Sequence, residues 1–418
     1  MKKALAIDAS ALTAGTILTG LAAYAYIVVG TRSLGAAAFA PISILWTFWT
    51  VAAAVLGFPL EHWVIRTARA DGNEERIRRV APQLVGVLAI LACGAGAGSW
   101  LLREGLFAQR SAVFPAFVAL VTAGSGLTAL LRGSLAARDR FVSAGLAIAG
   151  ENLVRLALAV AMAAADRGVT AFATALVCGP LVAAAWPDAF RYRRGPLRDT
   201  QSSMWGFFGG IASGSLTAQV VLTGGPVALA LLGGAPDDVT ALFAALALFR
   251  APYQIALGLG ARLTGVLTGF VVEGASHALL RVRTVTSVGT LVAGVAAGGF
   301  GALIGPLLVP AVFGPDVRLA PWLLAVVAAG STVALGTLVL TLLLVAQDRA
   351  AAVLTAWLVS LAAGIAWILA APGPALERVT VAFGLAELLA FAAMLAIERR
   401  VPVGPRVRSA GERRQGTA

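Results

Sequence analysis

Apolar runs of about 18 residues or more, separated by short polar breaks, recur along the whole 418-residue chain. At a rise of about 1.5 Å per residue such a run, folded as a helix, crosses a hydrocarbon core about 30 Å thick. The pattern predicts about twelve spans, near 7–30, 36–60, 81–102, 112–133, 142–164, 168–186, 204–231, 238–262 (or on to 270), 284–308, 319–346, 350–371 and 376–397. None of the connections is long enough for a soluble domain. The predicted fold class is therefore an all-α polytopic membrane protein.

Charge orients the spans, because Lys and Arg are retained on the cytoplasmic side. With the N-terminus inside, the even-numbered connections carry Arg66, Arg69, Arg76, Arg78, Arg79, Arg132, Arg138, Arg140, Arg191, Arg193, Arg194, Arg198, Arg281, Arg283 and Arg349. Lys2, Lys3 and the basic tail after residue 400 join them. The odd-numbered connections hold only Arg32, Arg103, Arg110, Arg167, Arg318 and Arg378. Both termini are expected in the cytoplasm, in a multi-pass protein of the inner (plasma) membrane.

A short motif recurs six spans apart. Leu135-Ala-Ala-Arg138-Asp139-Arg140 follows the fourth span, and Leu344-Val-Ala-Gln347-Asp348-Arg349 follows the tenth. Six is even, so the halves share one orientation, as in a parallel repeat about an axis along the membrane normal. Two six-helix lobes are expected, 1–195 and 196–400, followed by a basic cytoplasmic tail, 401–418. The first and second spans, and the seventh and eighth, become candidate walls of a central cavity.

Composition agrees: 59% of residues are hydrophobic and 12% charged, with a mean hydropathy of +0.88, whereas soluble chains carry about 25% charged residues. Topology accounts for most of the +12 net charge, and no nucleic-acid partner is expected. Cys93 and Cys178 lie in apolar runs and, with His62 and His277, build neither a disulfide framework nor a zinc site. No metal, cofactor or catalytic constellation is expected, so an enzyme is disfavoured. Asp8 interrupts the first run and no small-x-small cleavage site closes it, so that run is expected to be a retained helix.

The candidate chemistry is intramembrane charge. Arg250 lies within Leu246-Ala-Leu-Phe-Arg250-Ala-Pro252-Tyr253-Gln254, far from either end of its run. A helix entering near Thr240 would bury it roughly 15 Å deep, and Pro252 should loosen the helix beside it. This suggests the floor of an anion-binding cavity, the alternative being a pair with Glu151 or Glu387 across helices. Glu151 and Arg155, four residues apart, share a helix face, as a structural pair or as part of a pathway. Tyr24, Trp46, Trp49, Tyr253 and Gln254 are placed to line the cavity, whereas Tyr26 and Trp63 are read as membrane-interface anchors. Arg262 is read as snorkelling to the cytoplasmic interface, and Glu387 as a buried carboxyl.

Several segments together resemble polysaccharide flippases, the Wzx-like branch of the multidrug/oligosaccharidyl-lipid/polysaccharide (MOP, MATE-like) exporter superfamily. Thr31-Arg32-Ser33-Leu34-Gly35 through Phe39-Ala40 is similar to that family's turn after the first helix, with Ala40 where Gly is common. Arg132-Gly133 with Arg138-Asp139-Arg140-Phe141 resembles its turn between helices four and five, and Arg250-Ala251-Pro252 its Arg-x-Pro in helix eight. The resemblance implies two six-helix bundles around a cavity that opens alternately to each side. It implies movement of a lipid-pyrophosphate-linked oligosaccharide between leaflets, with glycosyltransferases or a polymerase as potential partners. Carried over by position, it makes Arg250 the anion contact, Arg155 a secondary one and Arg32 a residue of the outer mouth. Two alternatives stand: an ion-coupled multidrug or small-molecule exporter of the same superfamily, and a non-transporting membrane component of envelope polysaccharide synthesis.

Overall fold

The computed structural model describes residues 2–196, 216–258 and 260–400. Every long element among them is helical: α1 (Lys2–Leu34), α2 (Ala36–Ala52), α3 (Phe58–Asp71), α4 (Glu75–Leu101), α5 (Arg103–Phe107), α6 (Val113–Ala137), α7 (Phe141–Ala164) and α8 (Val169–Val177). After a helical stretch at 216–223 follow α9 (Gly225–Leu231), α10 (Pro236–Phe249), α11 (Ala251–Gly258), α12 (Gly260–Val272), α13 (Ser276–Leu303), α14 (Gly305–Phe313), α15 (Pro321–Ala346), α16 (Ala350–Ala370) and α17 (Ala375–Arg399).

Nine helices among the described residues are long and apolar enough to cross a membrane, or ten when the bent pair α10–α11 is counted as one. The expected twelve differ from this at identifiable places. The sixth apolar segment, Val169–Ala185, is short, because Pro180 ends α-helical bonding and the chain continues as a 3-10 helix, Gly179–Ala185. The seventh begins outside the described residues and breaks at Gly224. The eighth bends by 52° between Phe249 and Ala251. The second span is also interrupted, by a π-helical turn at Ala53–Gly57 between α2 and α3. Part of the expected lobe boundary, and the basic tail after residue 400, lie outside the described residues.

The repeated motif folds identically in its two copies. Arg140 N–H reaches the Leu135 carbonyl and Arg349 N–H the Leu344 carbonyl, both at 2.9 Å, closing a Schellman turn after α6 and α15. Asp139 (φ 57) and Asp348 (φ 60) take the left-handed position, which aspartate tolerates better than most residues. Around the first copy, charges staple the connections: Arg138 donates to Glu74 at 2.6 Å and Arg69 to Asp139 at 2.8 Å. The Glu74 hydrogen bonds raise the Arg138 pKa above its ordinary value, so this cation persists at any working pH.

Packing divides the helices into two groups that meet at one end. Four of the hydrophobic clusters each draw on a single group: Leu60–Trp63–Leu130 and Leu131–Ala144–Ala183 belong to the first six segments, Leu340–Trp357–Phe391 and Leu267–Leu279–Leu343 to the rest. One larger cluster draws on both, including Tyr26, Phe39, Trp46, Phe107 and Phe172 from the first group and Phe243, Phe313, Val317 and Val379 from the second. These residues gather near the turns after α1, α5 and α14 and before α10 and α17, the end that carries the odd-numbered connections. Tyr26 is fully buried there, its hydroxyl donating to the Phe172 carbonyl at 2.9 Å. Trp63 is likewise buried, inside the first group. Tertiary packing, which hydropathy does not report, overrides the expected interface role of both.

Candidate functional site between the two groups

At the closed end the two groups are joined by aromatic packing and by directed hydrogen bonds. Phe39 and Phe243 lie 6.3 Å apart, Trp46 and Phe243 6.4 Å, and Tyr24 and Phe313 5.5 Å. The Thr240 hydroxyl donates to the Ala36 carbonyl at 2.7 Å. Arg32, at the end of α1, donates from Nε to the Val312 carbonyl at 2.8 Å and from Nη2 to the Ala311 carbonyl. Both acceptors lie in the last turn of α14, where carbonyls lack helical donors and the helix dipole favours a cation. Ala311 is doubly deprived, since the residue four positions on is Pro315, which has no N–H.

The same chemistry explains the deeper arginines. In an α-helix the carbonyl of residue i accepts from residue i+4, so a proline at i+4 leaves it orphaned. Pro226 orphans Leu222, and Arg250 Nη1 donates to the Leu222 carbonyl. Pro180 orphans Leu176, and Arg155 Nε donates to the Leu176 carbonyl at 3.0 Å. Pro372 orphans Ile368, and Arg378 Nη1 donates to the Ile368 carbonyl at 3.0 Å. A guanidinium, with five donors and a fixed charge, suits such a carbonyl inside an apolar bundle.

Arg155 is fully committed to this role. It is 0% exposed, donates to Glu151 Oε1 at 2.6 Å and Asn152 Oδ1 at 3.0 Å, and lies 4.1 Å over the Trp49 ring. Gly179 makes the room: a Cβ there would stand 2.4 Å from Arg155 Nε. The structure thus brings Arg155, Glu151 and Trp49 into one buried knot within the first group, with Trp46 5.0 Å from Trp49.

Arg250 is different. It sits at the break between α10 and α11, 8% exposed, with Nε donating to the Leu246 carbonyl at 3.1 Å. Its Nη2 has no partner among the described residues. Pro252 cannot donate to the Leu248 carbonyl, which accounts for the bend. Glu387 and Tyr253 are its electrostatic neighbours. Glu387 is fully buried and neither of its carboxylate oxygens has a hydrogen-bond partner, so it does not form the cross-helix pair with Arg250 that sequence reasoning left open. Glu151 is tied to Arg155 instead. Tyr253 is half-buried and Gln254 exposed on α11, which packs against α1. Tyr24 on α1 is half-buried, its hydroxyl without a partner. The side chain of Arg262 lies outside the described residues. Sequence reasoning read Glu387 as a buried carboxyl, which it is, without assigning it to the site; its signal was an acid at the middle of an apolar span.

No protein-family model matches the chain. An uncharacterized protein of Mycobacterium tuberculosis is 28% identical over 347 residues, covering 78% of this chain and 77% of its own length. One from Mycobacterium bovis is 27% identical over 348 residues, with the same coverage. Among solved structures, the lipid II flippase MurJ in an inward closed conformation superposes with a TM-score of 0.71 at 11% identity, over 94% of this chain and 88% of that one. An inward-facing multidrug resistance MATE family transporter of the MOP superfamily gives 0.68 at 15% identity, over 91% and 93%. An outward-facing structure of such a transporter gives 0.56 at 16% identity, over 95% of each. The chain has the fold of the MOP-superfamily transporters, and it superposes better on the inward-facing form than on the outward-facing one.

Proposed function

We propose that this protein moves a lipid-pyrophosphate-linked oligosaccharide across the cytoplasmic membrane by alternating access, between lobes corresponding to residues 1–195 and 196–400. The observation that carries the reading is Arg250: a buried guanidinium whose Nη2 has no partner among the described residues, at a helix break in the second group, in a molecule whose two groups seal against each other at one end. A guanidinium edge fits phosphate oxygens in charge and spacing, and the lipid tail of such a substrate can stay in the bilayer while its head occupies the cleft. With the basic connections cytoplasmic, both termini are inside and the sealed end is outer, which makes this the inward-facing state. The rings of Trp46 and Trp49 on α2, packed in this state against Phe243 and Arg155, would become a contact for sugar rings when the seal opens. Glycosyltransferases or a polymerase would supply and consume the cargo, and the chemistry asked of this chain is binding and conformational change rather than catalysis.

The test is translocation by the purified protein in liposomes, using a fluorescent short-chain lipid-pyrophosphate sugar and a membrane-impermeant quencher. Protein-dependent access to the inner-leaflet pool is expected. Absence of that access, together with proton-driven efflux of cationic dyes, would instead establish the multidrug-exporter alternative.

Arg32 in this reading is the latch of the outer gate. Arg32→Ala removes its two hydrogen bonds to α14 and is expected to shift the protein toward the outward-open state by about tenfold, since losing charge-assisted bonds of about 1.5–3 kcal/mol corresponds to such a change. Spin-label distances across the Phe39–Phe243 seal would report it; unchanged distance distributions would reduce Arg32 to a surface contact.

A further inference from the structure

We infer that Glu387 is the second anion donor of the Arg250 site, binding the ligand's phosphate in its protonated form, so that one proton is taken up with each anionic head group. This rests on the anion-site reading above and extends it to a residue no sequence motif singled out.

The observations are geometric. Glu387 is fully buried at mid-length in α17, and both its oxygens are unpartnered. A buried carboxylate with no donor is costly to maintain unless the site is completed by something else. Arg250 is its charged neighbour: α10 packs on α17, Val221 packs with Ala386, and Arg250 donates to the adjoining Leu222 carbonyl while its Nη2 has no partner among the described residues. The two nevertheless do not pair, so both retain unspent hydrogen-bonding capacity in the closed-over state. Among the described residues, the elements packed on α17 are α9, α10, α15, α16 and, through Val221, the 216–223 stretch, which carries no acidic or basic residue. Of these α9, α15 and α16 contain no acidic or basic residue, and α10 carries only Asp237 and Asp238, in its first turn at the sealed end. On α17 itself Glu377, Arg378, Glu398 and Arg399 lie more than two helical turns away. Tyr253 completes the set that faces Arg250 and Glu387.

A phosphate entering this site meets one fixed cation and one carboxyl. Ionised, the carboxyl would repel the phosphate and offer no hydrogen; protonated, it presents an O–H donor beside the guanidinium edge. Binding of the anion and binding of the proton therefore favour each other, and by linkage reciprocity each raises the affinity for the other. The proton comes from water on the open side and leaves when the phosphate is released, with no bond made or broken in the ligand. The sign is distinctive: anion and proton travel together rather than competing.

The experiment measures the affinity of purified full-length protein for farnesyl-pyrophosphoryl-N-acetylglucosamine between pH 5 and 9, a range in which the probe's diester phosphates keep a fixed charge. In the parent protein, affinity is expected to strengthen as pH falls, by up to about tenfold per unit where one proton is taken up. Glu387→Gln, a permanent neutral donor of the same shape, is expected to bind at the parent's low-pH affinity across the range, and Glu387→Asp to restore a pH dependence. A Glu387→Gln protein with the parent's pH slope would overturn the role of Glu387 while leaving the Arg250 site standing. A parent protein that binds the probe no better than Arg250→Ala at any pH would overturn the anion site and the proton coupling with it.

Discussion

Arg250→Ala is expected to lower lipid-pyrophosphate translocation on the order of 100-fold, the equivalent of about 3 kcal/mol for a buried charge-assisted contact. The same substitution also removes the donor to the Leu222 carbonyl, which costs about 1–3 kcal/mol of stability when a buried acceptor is left unmade. Loss of activity by itself would then confound binding with folding. The structure supplies the separation. Pro226→Ala restores an N–H four residues beyond Leu222, giving that carbonyl a donor from its own chain. The double variant Arg250→Ala/Pro226→Ala should recover most of the lost thermal stability in detergent and none of the transport. Recovery of both would make Arg250 a helix cap and nothing more.

The second large effect is on stability. Arg155→Met strands Glu151, Asn152 and the Leu176 carbonyl together, and breaking a buried ion pair from one side costs about 3–5 kcal/mol. A lowered melting temperature or failure to insert is expected. Glu151→Gln/Arg155→Met, which removes both charges, should regain much of the loss, because the desolvation cost of the lone carboxylate disappears with it. A charge swap of the two positions should fail, since a glutamate at 155 has no hydrogen to give the Leu176 carbonyl. If instead Arg155→Met folded with parental stability and lost only ligand binding, the knot would belong to the transport site.

Much of this molecule was legible in residue order. Hydropathy located the helical segments because desolvating unpaired backbone inside lipid leaves the helix as the simplest solution for each run. The Asp-Arg turns at 139–140 and 348–349 were legible as a recurring motif and fold alike, and four-residue spacing paired Glu151 with Arg155. Arg-x-Pro marked the break at Arg250, where the 52° bend now lies. Other readings failed for one reason. Tyr26 and Trp63 looked like interface anchors and are packed inside the bundle. The deciding neighbours are remote in sequence: Phe172 for Tyr26 and Leu130 for Trp63.

The division follows from the range of the forces involved. Helix location, breaks and the repeated turn depend on interactions within about four residues, and a linear sequence contains both partners of each. Which orphaned carbonyl an arginine reaches depends on how helices cross. Pro226 announces that Leu222 will lack a donor, but only the packing of the 216–223 helix beside α10 brings Arg250 to it. The sequence by itself determined that this chain is built of membrane-spanning helices, with an arginine far from either end of one apolar run. Tertiary structure decided that, among the described residues, one nitrogen of that arginine and both oxygens of the neighbouring carboxyl are left without partners, and that the two groups of helices close at one end, because each of these depends on how remote helices cross.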